Sequence, residues 1–580
     1  MIHFHRPSRV PVALFLAAAT FGTIGLARPA LATRVVAAPV DLRVARDLGR
    51  APAAAPVHLV FSMKLRDERG LRALVAAQSN PRSPIYRSFL RPQQLRDAFG
   101  ATAAQYAATL ASLRSAGFSV HADPLRTIVD AAAPVALVER YFGTRLDTVI
   151  YNGRRSALAN ATPATMPLEL RSGVSTVSGL DAAPLYETAL SQAYAGHQTG
   201  GASARALTVA PNAAPSQTTA PTPPAPPPAN GPDGGYGPQL IDASFNYPER
   251  HGYFGSGVAV ADLIDGTFGD LKDIDPYLAE FGVTRTGPHT TTVVVDGGCG
   301  GENDCFDSFS AALDAQGVLG VAPGASYFVY EIPSLSNAGI LDGLSAIVND
   351  DRADIVNIAF AGCETLIGES AFTFDREFSL GAAEGITFSV VTFGGSNPCG
   401  TNGPSVQAPG DSPNVLTVGG ADSFADPSSG LTSPQIANTG SGGGASILFA
   451  EPSYQSGVAG ALSSGRNLPD LDGPAAINGV GPSIYFADFG GWIGGFAFVN
   501  NAPLTGGLAE IAQIGGSRLG IVNTALYSLY TAQGYTDGIF RDIKRGCNGV
   551  QGGGPYCAAP GFDQVSGIGT PNLYNLARKL

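Results

Sequence analysis

Charge is what this sequence has least of. Only 14% of its 580 residues are Asp, Glu, Lys or Arg, while 44% are hydrophobic; an average soluble protein carries about 25% charged residues. The surface must therefore be made largely of uncharged polar groups and glycine, which excludes a solvated, disordered polyelectrolyte. Lysine is nearly missing, occurring at Lys64, Lys272, Lys544 and Lys579 alone, and the net charge is −12. No basic stripe exists to track phosphates, so nucleic acid is not an expected partner.

Several catalytic signatures are also missing. Neither G-x-S-x-G nor H-E-x-x-H occurs, which removes the nucleophile elbow and the common zinc-protease helix. A Ser-His-Asp triad needs a histidine base. Beyond residue 236 only His251 and His289 are available, and neither stands beside a nucleophile-like turn. The six cysteines, Cys299, Cys305, Cys363, Cys399, Cys547 and Cys557, lack paired C-x-x-C spacing, so disulfides are expected rather than zinc. Sequence proximity suggests Cys299–Cys305 and Cys547–Cys557, which leaves Cys363 with Cys399.

What is present begins with an export signal. His3, His5, Arg6 and Arg9 precede an apolar run from Val10 to Leu26 and a small-x-small site at Ala30-Leu31-Ala32, so residues 1–32 read as a signal peptide cleaved after Ala32. A membrane anchor is the alternative, but Gly22, Thr23 and Gly25 dilute a run already near the lower length limit. No later stretch could span a bilayer. The expected location is secreted or periplasmic, with no membrane contact after signal removal.

Residues 33–190 read as a small α+β domain, with strands at Val57 to Leu65 and Arg126 to Ala131 and helices at Leu71 to Gln78, Ala103 to Ala116 and Pro134 to Phe142. Residues 191–236 collapse to Ala, Pro, Thr, Gln and Gly and read as an extended linker. Residues 237–580 alternate apolar strands (Gly257 to Ile264, Thr291 to Val295, Tyr327 to Ile332, Asp354 to Phe360, Thr387 to Phe393, Val415 to Val418) with helices (Phe306 to Gln316, Ala338 to Asn349, Ala371 to Ala383). That pattern predicts an α/β fold with a parallel sheet covered on both faces and a ligand site beyond the carboxyl ends of its strands. Cys363 and Cys399 follow consecutive predicted strands on one edge, which favours their pairing.

Asn80-Pro-Arg-Ser-Pro-Ile-Tyr-Arg-Ser-Phe-Leu90, with Leu110 to Val120 behind it, resembles the activation propeptide of the sedolisin (serine-carboxyl) peptidases, kumamolisin among them. Leu313-Asp314 followed by Val321-Ala-Pro-Gly-Ala325, Gly440-Ser-Gly-Gly-Gly444, Pro452-Ser-Tyr-Gln455, Arg466-Asn-Leu-Pro-Asp470 and Gly561-Phe-Asp-Gln-Val-Ser-Gly-Ile-Gly-Thr-Pro571 fall in that family's order. The resemblance implies a subtilisin-like fold. It also implies a mechanism using a Glu and an Asp four residues apart on one helix, a serine nucleophile opening another helix, and an Asp that donates to the oxyanion in acid.

Mapped onto this sequence, that machinery is mostly replaced. Asp314 matches the helical Asp, but Ser310 stands where the family has Glu. Asp307 lies seven residues upstream of Asp314, about 10 Å along a helix, too far to substitute. The oxyanion Asp maps to Gly394 in Phe393-Gly394-Gly395-Ser396, and the nucleophile to Ala502. The resemblance also implies a Ca²⁺ site from the carboxylates of Asp542 and Asp563 and the carbonyls of Ile543, Ala559 and Gly561, all hard oxygen donors, with Cys547–Cys557 closing the loop between them.

Two functions follow as expectations. The first is an exported, monomeric pseudopeptidase that keeps its propeptide, binds calcium, and holds a peptide or protein in the former cleft. The alternative is an acid-pH endopeptidase using non-standard residues, with Asp314 and Asp307 as its acid and base.

Overall fold

The computed structural model describes residues 34–39, 45–151, 156–190, 228–300, 305, 307–400, 404–494, 496–549 and 556–580. The expected signal peptide and most of the expected linker lie outside the described residues.

The activation domain is built on a four-stranded antiparallel sheet ordered β2-β3-β1-β4: β1 (Pro56–Met63), β2 (Ser119–Ala122), β3 (Ile128–Pro134) and β4 (Val174–Ser178). The run Val-His-Leu-Val-Phe-Ser-Met is nearly unbroken in apolar residues because β1 buries both faces. Leu59, Phe61 and Met63 enter the domain's own core, whereas Val60 joins a core shared with the large domain. Helices α1 (Glu68–Gln78), α2 (Pro92–Ala98), α3 (Ala103–Ala116) and α4 (Val135–Phe142) complete the domain. The Thr102 side chain caps α3 by accepting from the Gln105 amide, and Gly117, at φ +100°, ends it, a conformation glycine adopts without a Cβ penalty.

The large domain is α/β, with helices flanking an eight-stranded sheet. Its strands are β6 (Ala259–Ile264), β7 (Thr291–Val294), β8 (Ser326–Glu331), β9 (Ile355–Ile358), β11 (Thr387–Val391), β13 (Leu416–Ser423), β14 (Ile436–Ala437) and β15 (Leu471–Ile477). Spatially they run β7-β8-β6-β9-β11-β13, with β14 and β15 both on β13; every pairing is parallel except β13 with β14. The chain order reverses across β6, so the crevice between the carboxyl ends of β6 and β9 is a topological switch point. Helix α5 (Ser308–Val321) begins there. Helix α8 (Ala502–Gly515) packs tightly along it: a Cβ placed on Gly317 would lie 3.0 Å from the Ala502 Cβ.

The two domains meet along the outer face of the activation sheet. Arg376 in α7 (Ser370–Ala383) donates to the Met63 carbonyl at 2.9 Å, and Asn349 in α6 (Asn337–Asp350) donates to Asp123 at 2.6 Å.

Three sequence expectations need correction. The strand expected over Asp354 to Phe360 is two: β9 stays in the main sheet, and β10 (Phe360–Cys363) leaves it to pair with β12 (Gln407–Ala408). Strand β15 went unpredicted because Gly473-Pro474 reads as a strand breaker. The sheet accommodates the pair with a register shift opposite Ala421 and Asp422. Finally, residues 228–236 are part of the large domain rather than linker: Tyr236 is fully buried and its amide donates to the Gly481 carbonyl at 2.9 Å.

Candidate functional site

The switch point is lined by acids and amides. Asp262 on β6 and Asp314 on α5 are both buried, and each keeps one carboxylate oxygen without a hydrogen bond. Asn357 on β9 donates to Asp262 at 3.1 Å, while its own oxygen accepts from Asn501 and from Thr505, each at 3.0 Å. Burial pushes both carboxyls up, and the Asp262 charge raises Asp314 further, with Asp307 adding to it. A protonated carboxyl gains a donor O–H while keeping acceptor capacity, and the upward shift at Asp314 favours that form.

The sequence-derived positions distribute unevenly around this centre. Ser310 and Asp314 line one small pocket together with Leu313, Ala359, Val391, Phe498, Val499, Asn500 and Asn501. Ala502 does not line it. Its methyl is fully buried against α5 because α8 begins at this residue and turns it inward. Val499, three positions earlier, lines the pocket together with Ser310. The conclusion about chemistry is unchanged, since valine has no nucleophilic atom. Gly394 and Gly395 line a separate cavity of about 540 Å³ and have φ of +82° and +75°. Neither glycine supplies a carboxylate.

The activation domain's tail runs into the same centre. Strand β5 (Glu187–Thr188) pairs antiparallel with β10 through Glu187 opposite Ala361 and Thr188 opposite Phe360. Thr188 Oγ1 donates to Asp307 at 3.2 Å and lies 2.9 Å from Ser310 Oγ. Ala189 and Leu190 continue over the pocket and share an apolar cluster with Leu313, Val391, Phe393 and Val499. Asp307 precedes the first turn of α5 and accepts from this tail.

At the far end of the domain, Asp542 accepts from the Gly561 amide at 3.2 Å, and Asp563 accepts from the Ala559 amide at 2.8 Å. The 559–563 loop therefore wraps both carboxylates. The second Asp563 oxygen is held by the Val565 and Ser566 amides and the Ser566 hydroxyl. The two carboxylates are oxygen donors of the kind calcium takes, and Ile543, next to Asp542 in sequence, is buried. All three expected disulfides are present: Cys299–Cys305, Cys363–Cys399 and Cys547–Cys557.

Sequence reasoning missed Asp262, Asn357, Asn501 and Val499. Asp262 carried a usable signal, a lone charge in the middle of a strand expected to be buried on both faces. His251, stacked on Tyr574, and His289, paired with Asp270 at 3.0 Å, lie outside this network. Among the described residues no helix is long and apolar enough to cross a membrane.

Comparison with known proteins agrees with this architecture. Residues 44–183 match the family described as Pro-kumamolisin, activation domain, and residues 291–476 match the Subtilase family. Sedolisin of Pseudomonas sp. (strain 101) is 29% identical over 98% of this chain and 95% of its own length. Xanthomonalisin of Xanthomonas sp. (strain T-22) is 26% identical over 90% of this chain and 65% of its own. Human tripeptidyl-peptidase 1 is 27% identical over 60% and 64%. The solved structure of Pseudomonas sedolisin, a serine-carboxyl proteinase complexed with pseudo-iodotyrostatin, covers 59% of this chain at 25% identity with a TM-score of 0.49. Over nearly its whole length the chain is similar to sedolisin, with a Pro-kumamolisin activation domain ahead of a subtilisin-like α/β domain.

Proposed function

We propose that this protein is an exported sedolisin-family pseudopeptidase, which binds calcium and holds extended peptide segments along the edge of β10 without cutting them. The observation that carries the reading is the composition of the pocket beside Asp314. Ser310, Val499, Asn500 and Asn501 supply no second carboxylate and no activated nucleophile, and Asp314 itself is held toward its neutral form. General-base activation of a hydroxyl needs a basic partner within hydrogen-bond reach. Ser310 instead has Thr188 as its close neighbour.

Peptide binding is supported by β10, whose edge accepts one extended segment, Glu187–Thr188, as an added strand; main-chain pairing of this kind gives affinity while side-chain pockets give selectivity. The cavity lined by Gly394, Gly395, Gly440 and Gln407 lies beside that strand and could receive a side chain. The calcium reading is supported by Asp542 and Asp563 inside one loop.

The test is incubation of purified protein with denatured casein and peptide libraries from about pH 3 to about pH 7, the range over which carboxyl-based catalysis switches on. No turnover is the expected result. Turnover that disappears in Asp314→Asn would replace this reading with the acid hydrolase using Asp314 and Asp307.

A further inference from the structure

The activation sheet turns one face to the large domain, and one imidazole on that face sits among acids from both sides. Along β1, Leu59 and Phe61 enter the domain's own core while Val60 enters the core common to both domains. His58 lies two residues from Val60 and so shares its outward face. Its Nε2 is 2.7 Å from Asp130 Oδ1 and 3.3 Å from Asp342 Oδ2, and its Nδ1 is 3.3 Å from Asp296 Oδ2. Asp130 comes from β3 of the same sheet. Asp342 lies on α6 and Asp296 two residues past β7, so two of the three acids belong to the large domain. Asp296 reaches the ring from a left-handed backbone conformation, φ +48°, which is uncommon for a residue with a Cβ.

No other strong base serves this cluster. Among the described residues, neither lysine nor arginine pairs with Asp130, Asp296 or Asp342. The second base in contact is His121 on β2, whose Nδ1 lies 3.6 Å from Asp130 Oδ2 and whose side chain is largely exposed. Docking therefore brings two acids of the large domain against an acid of the activation domain, with the His58 ring between them. Asp342 Oδ2 accepts no hydrogen bond although its side chain is only 7% exposed. A buried oxygen in that state is costly as a bare carboxylate, and a proton on it supplies a donor O–H.

The groups on the two sides of the contact respond in one direction. Burial works against the charge on His58, but the Asp130 hydrogen bond and the charges of Asp342 and Asp296 hold the ring up at about 9. Burial, with Asp130 and Asp296 nearby, pushes the Asp342 carboxyl up even though the His58 charge pulls it down. Burial also raises Asp296, against the pull of His58 and His121. Each group thus holds protons more firmly in the docked arrangement than it would in water.

We propose that His58, Asp130, Asp296 and Asp342 form a proton-operated clamp between the two domains, which tightens the docking of the activation domain as pH falls and loosens it as pH rises. The sign follows from linkage: a group raised on docking stabilises fully below its free value, and that contribution is lost as pH rises through the docked one. For His58 the window runs from 6.5 to about 9. A looser activation domain also holds its tail, Glu187–Thr188, less firmly on β10. The clamp acts on docking and is independent of whether β10 holds other peptides or the cleft cuts them.

The experiment uses the full chain with a recognition sequence for a specific protease inserted between residues 191 and 227, cut after folding so that both parts stay in one solution. Gel filtration follows their separation as urea is raised, at about pH 6.5 and about pH 9, and circular dichroism without urea checks that the cut chain is folded. At a fixed urea concentration the wild-type pair should hold at least about tenfold tighter at the lower pH, the effect of a tenfold change in one group's proton affinity. His58→Gln combined with Asp342→Asn exchanges the ring and the buried acid for neutral side chains and should remove most of that difference. His289→Gln, at an exposed histidine elsewhere, should keep it. A wild type no tighter at the lower pH, a double variant that retains the full difference, or loss of the difference in His289→Gln would each overturn the proposal.

Discussion

Thr188 Oγ1 lies 2.9 Å from Ser310 Oγ, so a hydroxyl of the activation domain's tail touches the helix position at which the family resemblance places a catalytic glutamate. A glutamate at 310 would have to displace that hydroxyl, and it would add a third acid beside Asp307 and Asp314. Restoring catalysis is therefore expected to need both a carboxylate on α5 and a hydroxyl on the pocket wall. Ser310→Glu with Val499→Ser and an aspartate at Gly394 or Gly395, tested in parallel, should give acid-pH casein hydrolysis. The same set built with Ala502→Ser should not, because that methyl points into the core. Each aspartate replaces a glycine of positive φ and is expected to cost about 1–3 kcal/mol of stability. Activity from the Ala502 set and none from the Val499 set would show that the pocket is misassigned.

Buried acids should make the fold most stable in acid. Glu510 is pushed up to about 10 and Glu384 to about 9, each by burial first and by neighbouring acids second, and Glu377 to about 7 by burial. A carboxyl with a raised folded value stabilises fully below its unfolded value, and that contribution is lost as pH rises through the folded one. His58, raised to about 9, acts in the same direction. The melting temperature should be higher near pH 4.5 than near pH 8.5, and Glu510→Gln should flatten the fall between about pH 6 and pH 10. A melting curve that rises steadily from acid to alkaline pH would contradict this.

Calcium removal should destabilise the large domain. If the loop at 559–563 binds the ion, saturating calcium adds about 2.7 kcal/mol at a hundredfold excess over Kd, and chelation should lower the melting temperature by a few degrees. Asp542→Asn should abolish the calcium dependence. It is the cleaner variant, because one Asp563 oxygen also anchors the Val565 and Ser566 amides, so its loss perturbs the loop with or without an ion. A melting temperature indifferent to calcium in the wild type would refute the site.

The motif Arg466-Asn-Leu-Pro-Asp470, noticed first as a family mark, has a structural explanation. Arg466 and Asp470 form a fully buried ion pair, and Asp470 also accepts from the Thr417 amide, Asn523 and Tyr527. Removing one partner leaves an uncompensated buried charge. Arg466→Ala is expected to cost about 3–5 kcal/mol in denaturant unfolding, with Asp470→Asn similarly harmful. A loss below about 1 kcal/mol would mean that the pair is not desolvated as described.

How far the sequence reveals the molecule depends on the kind of signal. The helix over Ala103–Ala116 and those at Asn337–Asp350 and Ser370–Ala383 were legible to within a residue, since turns and caps punctuate them. The strands of the parallel sheet were legible because burial on both faces makes them continuous apolar runs. Strand β15 was hidden by Gly473-Pro474, and the split of β9 from β10 follows from what β10 pairs with, which no local pattern encodes. At the site, Asp314 and Ser310 were reached through the resemblance to the family's helical Glu and Asp. Val499 was missed because a glycine- and asparagine-rich approach gives no register until the start of α8 is known. Asp262 and Asn357 were missed because their partners lie far apart in sequence.

The pairing of Glu187–Thr188 with β10 has one more consequence. A segment tethered to the surface it binds competes as though present at millimolar concentration, whatever its intrinsic affinity. Peptide affinities measured on the intact chain will therefore understate those of the bare edge by the ratio of that effective concentration to the tail's own dissociation constant. Replacing Leu190, which is 2% exposed, with aspartate should recover much of the difference in a fluorescent-peptide titration. If β10 binds peptides as proposed, the covalent connection is itself the competitor in the intact chain, and a single cut between residues 191 and 227 would relieve that competition.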